Sequence, residues 1–175
     1  MKPLSEYIRS IPDFPKPGVI FRDLTPLIEN PEGYRRSVDL ITEAVALWGP
    51  IDKIAAPEAR GFIFGAPVAL QLNAGLVPVR KPGKLPYKTF GIDYELEYGT
   101  NRLEIHQDAV LPNERVVLID DLLATGGTIA ACRKLLENCG AIVVGAAFLV
   151  ELVDLKGREA LGDLPIFAPI KFEGE

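Results

Sequence analysis

A chain of 175 residues has the length of one domain, and its 48% hydrophobic and 25% charged residues are the proportions of a folded globular protein with a sizeable core. Its formal charge of −5 argues against a general nucleic-acid binder, which draws affinity from clustered Lys and Arg, so any bound anion must be met locally. No apolar run reaches the roughly 18 to 20 residues of a membrane span, and Met1 to Ser10 lacks the apolar core of a signal peptide, which predicts a cytoplasmic protein with no membrane partner.

Leu4, Tyr7, Ile8 and Ile11 stand at helical spacing and predict a short amphipathic helix over the first dozen residues, stopped by Pro12, Pro15 and Pro17. Phe14 to Leu24 reads as an irregular apolar loop. Asn30 as cap and Pro31 in the first turn open a helix that buries Val38, Ile41, Val45 and Trp48 and closes at Gly49-Pro50. Lys53 to Ala56 predicts a strand, Gly61 to Leu72 a helix despite Pro67, and Val77 to Arg80 another strand. Lys81 to Asp93 carries Pro82, Gly83, Pro86 and Gly91 among lysines, too broken for either regular form, and predicts a mobile loop. Tyr94 to Tyr98 and Arg102 to His106 predict an antiparallel hairpin turning at Gly99-Thr100-Asn101.

Val116 to Ile119 reads as a buried strand, followed by a helix that Gly140 stops. Ala141 to Val150 predicts a further buried strand, Leu155 to Leu161 a short helix and Pro165 to Ile170 a last edge strand. Strands alternating with helices make the fold class α/β, a central parallel sheet flanked by helices. Cys132 and Cys139 lie on one predicted helix about 10 Å apart, beyond disulfide reach, and neither they nor His106 has partners at zinc-ligand spacing.

The strongest chemical signal is the string from Val116 to Thr128, an apolar strand that ends in Asp120-Asp121 and turns into a helix through Ala124-Thr125-Gly126-Gly127-Thr128. Gly126 and Gly127 let backbone N–H groups approach an anion, Thr125 and Thr128 add hydroxyl donors, and the first turn of the helix has unpartnered N–H groups. Two carboxylates would repel that anion, so they accept hydrogen bonds from vicinal hydroxyls or face a magnesium shell. A phosphorylated sugar has both ends. The loop is not a Walker A sequence, since no Lys follows the glycines at the required spacing.

Further segments fall at predicted strand ends, where open α/β sheets bind ligands. Arg60, in Glu58-Ala59-Arg60-Gly61-Phe62, offers a planar fork suited to pyrophosphate, or pairs with a surface carboxylate. Arg80, Lys81 and Lys84 form a basic cluster that reads as a solvated patch alone, and as a clamp on a leaving pyrophosphate beside a phosphate motif. Glu95 and Glu97 share one face of a strand, which is ordinary for an exposed edge, although a carboxylate near a purine can exchange a proton with the ring.

The Asp-Asp string resembles the phosphoribosyl-pyrophosphate motif of the type I phosphoribosyltransferase family, in which two acidic residues grip the ribose diol and the loop holds the 5-phosphate. Phe14 to Leu24, Glu58 to Phe62, Arg80 to Pro86, Leu96 to Gly99, and Leu149 to Leu152 with Leu155 to Glu159 are similar, in the same order, to the adenine-specific branch. That resemblance implies a small hood over about residues 1–30, a flexible catalytic loop and hairpin over about residues 81–106, and a homodimer. It implies that Ile20 and Leu152 sandwich adenine, that the backbone at Ile20 and Arg22 reads its edge, and that Glu97 acts as acid or base. Arg60, Lys81 and Lys84 would then meet pyrophosphate, and Mg2+ would be held through substrate and water near Asp120 and Asp121 without a direct protein ligand. The implied reaction turns adenine and 5-phosphoribosyl 1-pyrophosphate into AMP and pyrophosphate. Another purine, hypoxanthine or guanine, and a non-catalytic sensor on the same fold are the alternatives.

Overall fold

The computed structural model describes residues 2–96 and 99–174. After a 3-10 turn at Leu4–Tyr7 the elements run β1 (Arg9–Pro12), β2 (Ile20–Asp23), α1 (Thr25–Glu29), α2 (Pro31–Ala46), β3 (Lys53–Pro57), α3 (Arg60–Gln71) and β4 (Gly75–Val79). They continue with β5 (Thr89–Leu96), β6 (Gly99–His106), β7 (Arg115–Leu123), α4 (Gly127–Asn138), β8 (Ile142–Leu152), β9 (Ile166–Phe167) and β10 (Ile170–Phe172), with 3-10 turns at Val153–Leu155 and Glu159–Leu161.

The expected parallel sheet is present, in the order β10-β8-β7-β3-β4, with β9 also pairing parallel to β8. Its central strands are apolar on both sides: Val116 to Ile119 are fully buried, and so are Ala146 to Val150. That is what a sheet covered on both faces requires. Helices α2 and α3 cover one face through Ile41, Val45, Phe64 and Val68, and α4 covers the other through Cys132, Leu135 and Leu136. Asn30 caps α2 by accepting from the Gly33 N–H at 2.8 Å, as its position before Pro31 predicts. Pro67 cannot donate to the carbonyl of Ile63 one turn back, and the Tyr34 hydroxyl donates to that carbonyl instead. The helix therefore runs through its proline without an orphaned acceptor.

The structure corrects the expectation for the first dozen residues. Arg9–Pro12 is a strand, paired antiparallel with Ile20–Asp23, so the latter part of the expected helix and the end of the expected loop form a two-stranded sheet, and only a 3-10 turn at Leu4–Tyr7 is helical. Cross-strand bonds decide it: Arg9 Nη2 meets Asp23 Oδ2 at 2.9 Å and Arg22 Nη1 donates to Ser10 Oγ at 2.6 Å. The irregular segment after β4 is also shorter than expected, because Thr89 to Asp93 pair with Arg102 to His106 and lengthen the hairpin. Gly99 to Asn101, expected as its turn, lie inside β6. The hairpin joins the end of β4 through reciprocal backbone bonds between Arg80 and Glu104, at 2.9 and 2.7 Å. The last expected strand is split into β9 and β10, and the short helix over Leu155 to Leu161 is two 3-10 turns. Cys132 and Cys139 are both free thiols, as their separation predicts.

Candidate active site

The segments around Arg60, Arg80 and the Asp120-Asp121 pair fall at the carboxyl ends of β3, β4 and β7, three neighbouring strands of this sheet. At the end of β7 the Asp121 carboxylate is buried and the Arg60 guanidinium approaches it, Nε to Oδ2 at 2.7 Å. That Oδ2 atom makes no aligned hydrogen bond among the described residues. Asp120 accepts from the Asp121 N–H at 2.9 Å through Oδ1. Gly61 explains how α3 starts so near: a Cβ there would stand 3.0 Å from the Ile119 carbonyl oxygen and 3.1 Å from Asp120 Oδ1. The Glu58–Ala59 peptide bond just before this helix is cis.

Burial pushes the Asp120 carboxyl well above the ordinary carboxylate range, and the Asp121 charge beside it adds to the rise. Asp121 is raised by its own burial, with the Arg60 charge offsetting part of the effect. A half-buried and a buried carboxylate thus stand side by side, with one half-exposed guanidinium paired to the buried one. The pair is short of donors and positive charge, which hydroxyl groups or a hydrated cation would supply.

Beyond the pair, Gly126 adopts φ +81° and α4 begins at Gly127, so Ala124 to Thr128 wrap around a cavity of about 200 Å³ together with Arg60 and both aspartates. The N–H groups of a helix start, a left-handed glycine and two threonines are the kinds of donor that an anion needs. A second cavity of about 300 Å³ is bounded by Glu58, Ala59, Arg60 and the aspartate pair. A third, of about 340 Å³, lies under the two-stranded N-terminal sheet, with Ile20, Phe21, Arg22, Leu152 and Leu155 among its walls. Arg60 borders all three, and Thr125 borders the first and third.

The structure therefore brings together Arg60, Asp120, Asp121, Ala124 to Thr128, Ile20, Arg22 and Leu152. Lys81 and Lys84 are exposed and line none of these three cavities. They are tethered toward the site through Glu58, which accepts from the Lys81 N–H at 3.3 Å and from Arg80 Nε at 2.6 Å. Arg80, whose Nη1 also donates to the Lys84 carbonyl at 3.3 Å, is held by protein carboxylate and leaves the expected three-cation cluster. At Glu58 burial works to raise the carboxyl, but the bonds from Arg80 and Lys81 outweigh it and hold it below its ordinary range. Glu97 lies outside the described residues. Sequence reasoning gave no role to Glu58, Phe21, Leu155 or Gly157, although all lie within segments it had marked.

The phosphoribosyl transferase domain matches this chain over residues 27–160, and the chain belongs to the phosphoribosyltransferase family. A relative from Fervidobacterium nodosum, an adenine phosphoribosyltransferase, is 56% identical over 169 residues, 97% of this chain and 99% of its own. A crystal structure of adenine phosphoribosyltransferase from Thermoanaerobacter pseudethanolicus superposes with a TM-score of 0.91 at 55% identity, covering 97% of this chain and 98% of that one. The Saccharomyces cerevisiae enzyme, complexed with adenine and an imino-altritol bisphosphate, superposes with a TM-score of 0.88 at 39% identity, covering 94% and 95%. Within the family the chain stands with these adenine enzymes, which are transferases of the glycosyltransferase type.

Proposed function

We propose that the enzyme transfers the 5-phosphoribosyl group of 5-phosphoribosyl 1-pyrophosphate to adenine, giving AMP and pyrophosphate in purine salvage. The observation that carries the reading is the order of three adjoining cavities around one arginine: an anion loop, a carboxylate pair with an open second pocket, and an apolar slot. They correspond to the phosphate, the ribose with its pyrophosphate, and the base.

Asp120 and Asp121 accept hydrogen bonds from the ribose diol, whose donors replace the water that burial removed from the carboxylates. Ala124 to Thr128 anchor the 5-phosphate, and binding energy gained so far from the reacting carbon serves to orient it. Arg60 turns its charge to the pyrophosphate, joined by Lys81 and Lys84 when the segment at 81–88 closes as a lid. Ile20 and Leu152 sandwich the purine, and the backbone at Ile20 and Arg22, in the hood, reads its edge. The N9 of adenine attacks the anomeric carbon as pyrophosphate leaves on the opposite face.

Among the described residues no three His, Cys, Asp or Glu side chains converge as a metal site. The carboxylate pair nevertheless fits Mg2+ held through water and substrate, because Asp121 Oδ2 is a buried acceptor without an aligned donor. When bound, Mg2+ neutralises charge on the pyrophosphate. The homodimer implied by the family resemblance and the cytoplasmic location expected from the sequence complete the reading. No helix among the described residues is long and apolar enough to cross a membrane.

A spectrophotometric assay with adenine, hypoxanthine and guanine, each with the sugar donor and Mg2+, tests the reaction. Turnover is expected with adenine; turnover confined to hypoxanthine or guanine moves the assignment to another purine, and none with any base removes the catalytic reading. Glu97 is assigned as acid or base on the family resemblance. Glu97→Gln keeps the hydrogen-bonding shape but cannot titrate, so kcat should fall by about tenfold or more while KM for the sugar donor stays within about threefold. A near-normal kcat would pass the proton transfer to another group or to solvent.

A further inference from the structure

The ion pair of Glu151 and Arg158 has no part in the chemistry above, yet it sits at a junction. Glu151, buried near the end of β8, accepts both arms of the Arg158 fork, from Nε at 2.7 Å and from Nη2 at 2.8 Å. The chain between them turns through Val153–Leu155 and through Lys156, which is left-handed at φ +52°. This turn brings the Gly157 backbone against the anion loop: a Cβ on Gly126 would overlap the Gly157 carbonyl oxygen, and a Cβ on Gly157 would overlap the Ala124 carbonyl oxygen. The two backbones touch with no side chain between them. The same turn carries Leu155, a wall of the apolar slot beside Leu152.

A bidentate arginine on a buried carboxylate fixes direction as well as distance. Surface ion pairs do neither, and a helix start left alone frays. We propose that Glu151 and Arg158 are positioning residues for phosphate binding: their fork pins the 153–158 turn, and the turn backs the loop at Ala124 to Thr128 so that its N–H groups stay aimed at a phosphate monoester. The inference rests on the reading of that loop as the 5-phosphate site. Hydrogen bonding from Arg158 holds the Glu151 carboxyl below its ordinary range, so the fork remains ionised at neutral pH.

The test is titration calorimetry with ribose 5-phosphate, which engages the loop and the aspartates but not the base slot. Arg158→Met strands a buried carboxylate and risks the fold, so the main variant is Glu151→Met with Arg158→Met, which leaves no buried charge unpaired. Its Kd for ribose 5-phosphate is expected to rise by about tenfold, and KM for the sugar donor to rise with it, while kcat changes by less than about threefold. Arg158→Lys keeps the charge but loses the fork, and its Kd should rise by about threefold. A folded double variant that binds within twofold of wild type overturns the proposal and leaves the pair as a fold-stabilising contact only. If the double variant does not fold, the same criterion falls on Arg158→Lys. A wild-type protein that fails to bind ribose 5-phosphate overturns the loop assignment itself, and the positioning role with it.

Discussion

Replacing Asp120 and Asp121 together by Asn is expected to lower kcat/KM by about a thousandfold while the ligand-free protein melts at a higher temperature. Two hydrogen bonds to charged carboxylates, each about 1.5–3 kcal/mol, set the size of the first effect. The second follows from the site itself. Ordinary carboxyls ionise near pH 4, whereas these two, adjacent and poorly solvated, keep their protons to higher pH. Between those limits the folded chain binds more protons than the unfolded chain. The stability contributed by the pair is therefore complete below the unfolded values and is lost as pH rises through the folded ones. Asn cannot ionise, so the variant should match wild type near pH 4 and exceed it by about 2–4 °C at neutral pH, as expected for a gain of about 1 kcal/mol. Little is lost at Arg60, whose side chain is 53% exposed. Thermal melts across pH with initial-rate kinetics read both effects. Near-normal activity removes the diol role, and a variant that melts below wild type at neutral pH removes the electrostatic account.

The largest loss from a single added methyl should come at Gly126. Its φ of +81° costs an L-residue about 1–2 kcal/mol, and the new Cβ would overlap the Gly157 carbonyl oxygen. Gly126→Ala should cost about 2–4 kcal/mol, lower the melting temperature by roughly 5–10 °C and raise KM for the sugar donor by more than about tenfold. Gly127 is the natural control, because it opens α4 without a left-handed φ and a Cβ there meets nothing within 4 Å. Gly127→Ala should melt within about 2 °C of wild type, since alanine suits a helix better than glycine. Any loss of rate in that variant then reports crowding of the bound phosphate. Equal melting temperatures for the two variants would show that contact with Gly157 contributes no stability.

Where side-chain chemistry is local, the amino-acid order was sufficient. The apolar run from Val116 to Ile119, ending in two aspartates before a glycine turn, reads as a covered strand leading to a helix start, and it is one. Its carboxylates and free N–H groups lie within a few residues of one another. Asn30-Pro31 likewise marks a helix start wherever the rest of the chain goes, because the cap bond spans only three residues. The parallel sheet followed from the alternation of strands and helices.

What depended on distant partners was decided by the tertiary structure. The spacing of Leu4, Tyr7, Ile8 and Ile11 suits a helix, but a short segment has too little propensity to resist the cross-strand bonds of Ser10 with Arg22 and Arg9 with Asp23. Arg80 looked like a cation for the ligand until Glu58, far off in the chain, came within 2.6 Å of it. Arg60 was open between pyrophosphate and a surface carboxylate; the carboxylate it meets is a buried one inside the site. The backing of Gly126 by Gly157 leaves no trace in hydrophobic pattern, since it is contact between two backbones. Local order specifies which groups can bind a phosphate and a diol, but charge neutralisation and close backbone approach are properties of the packed molecule and appear only once its distant segments meet.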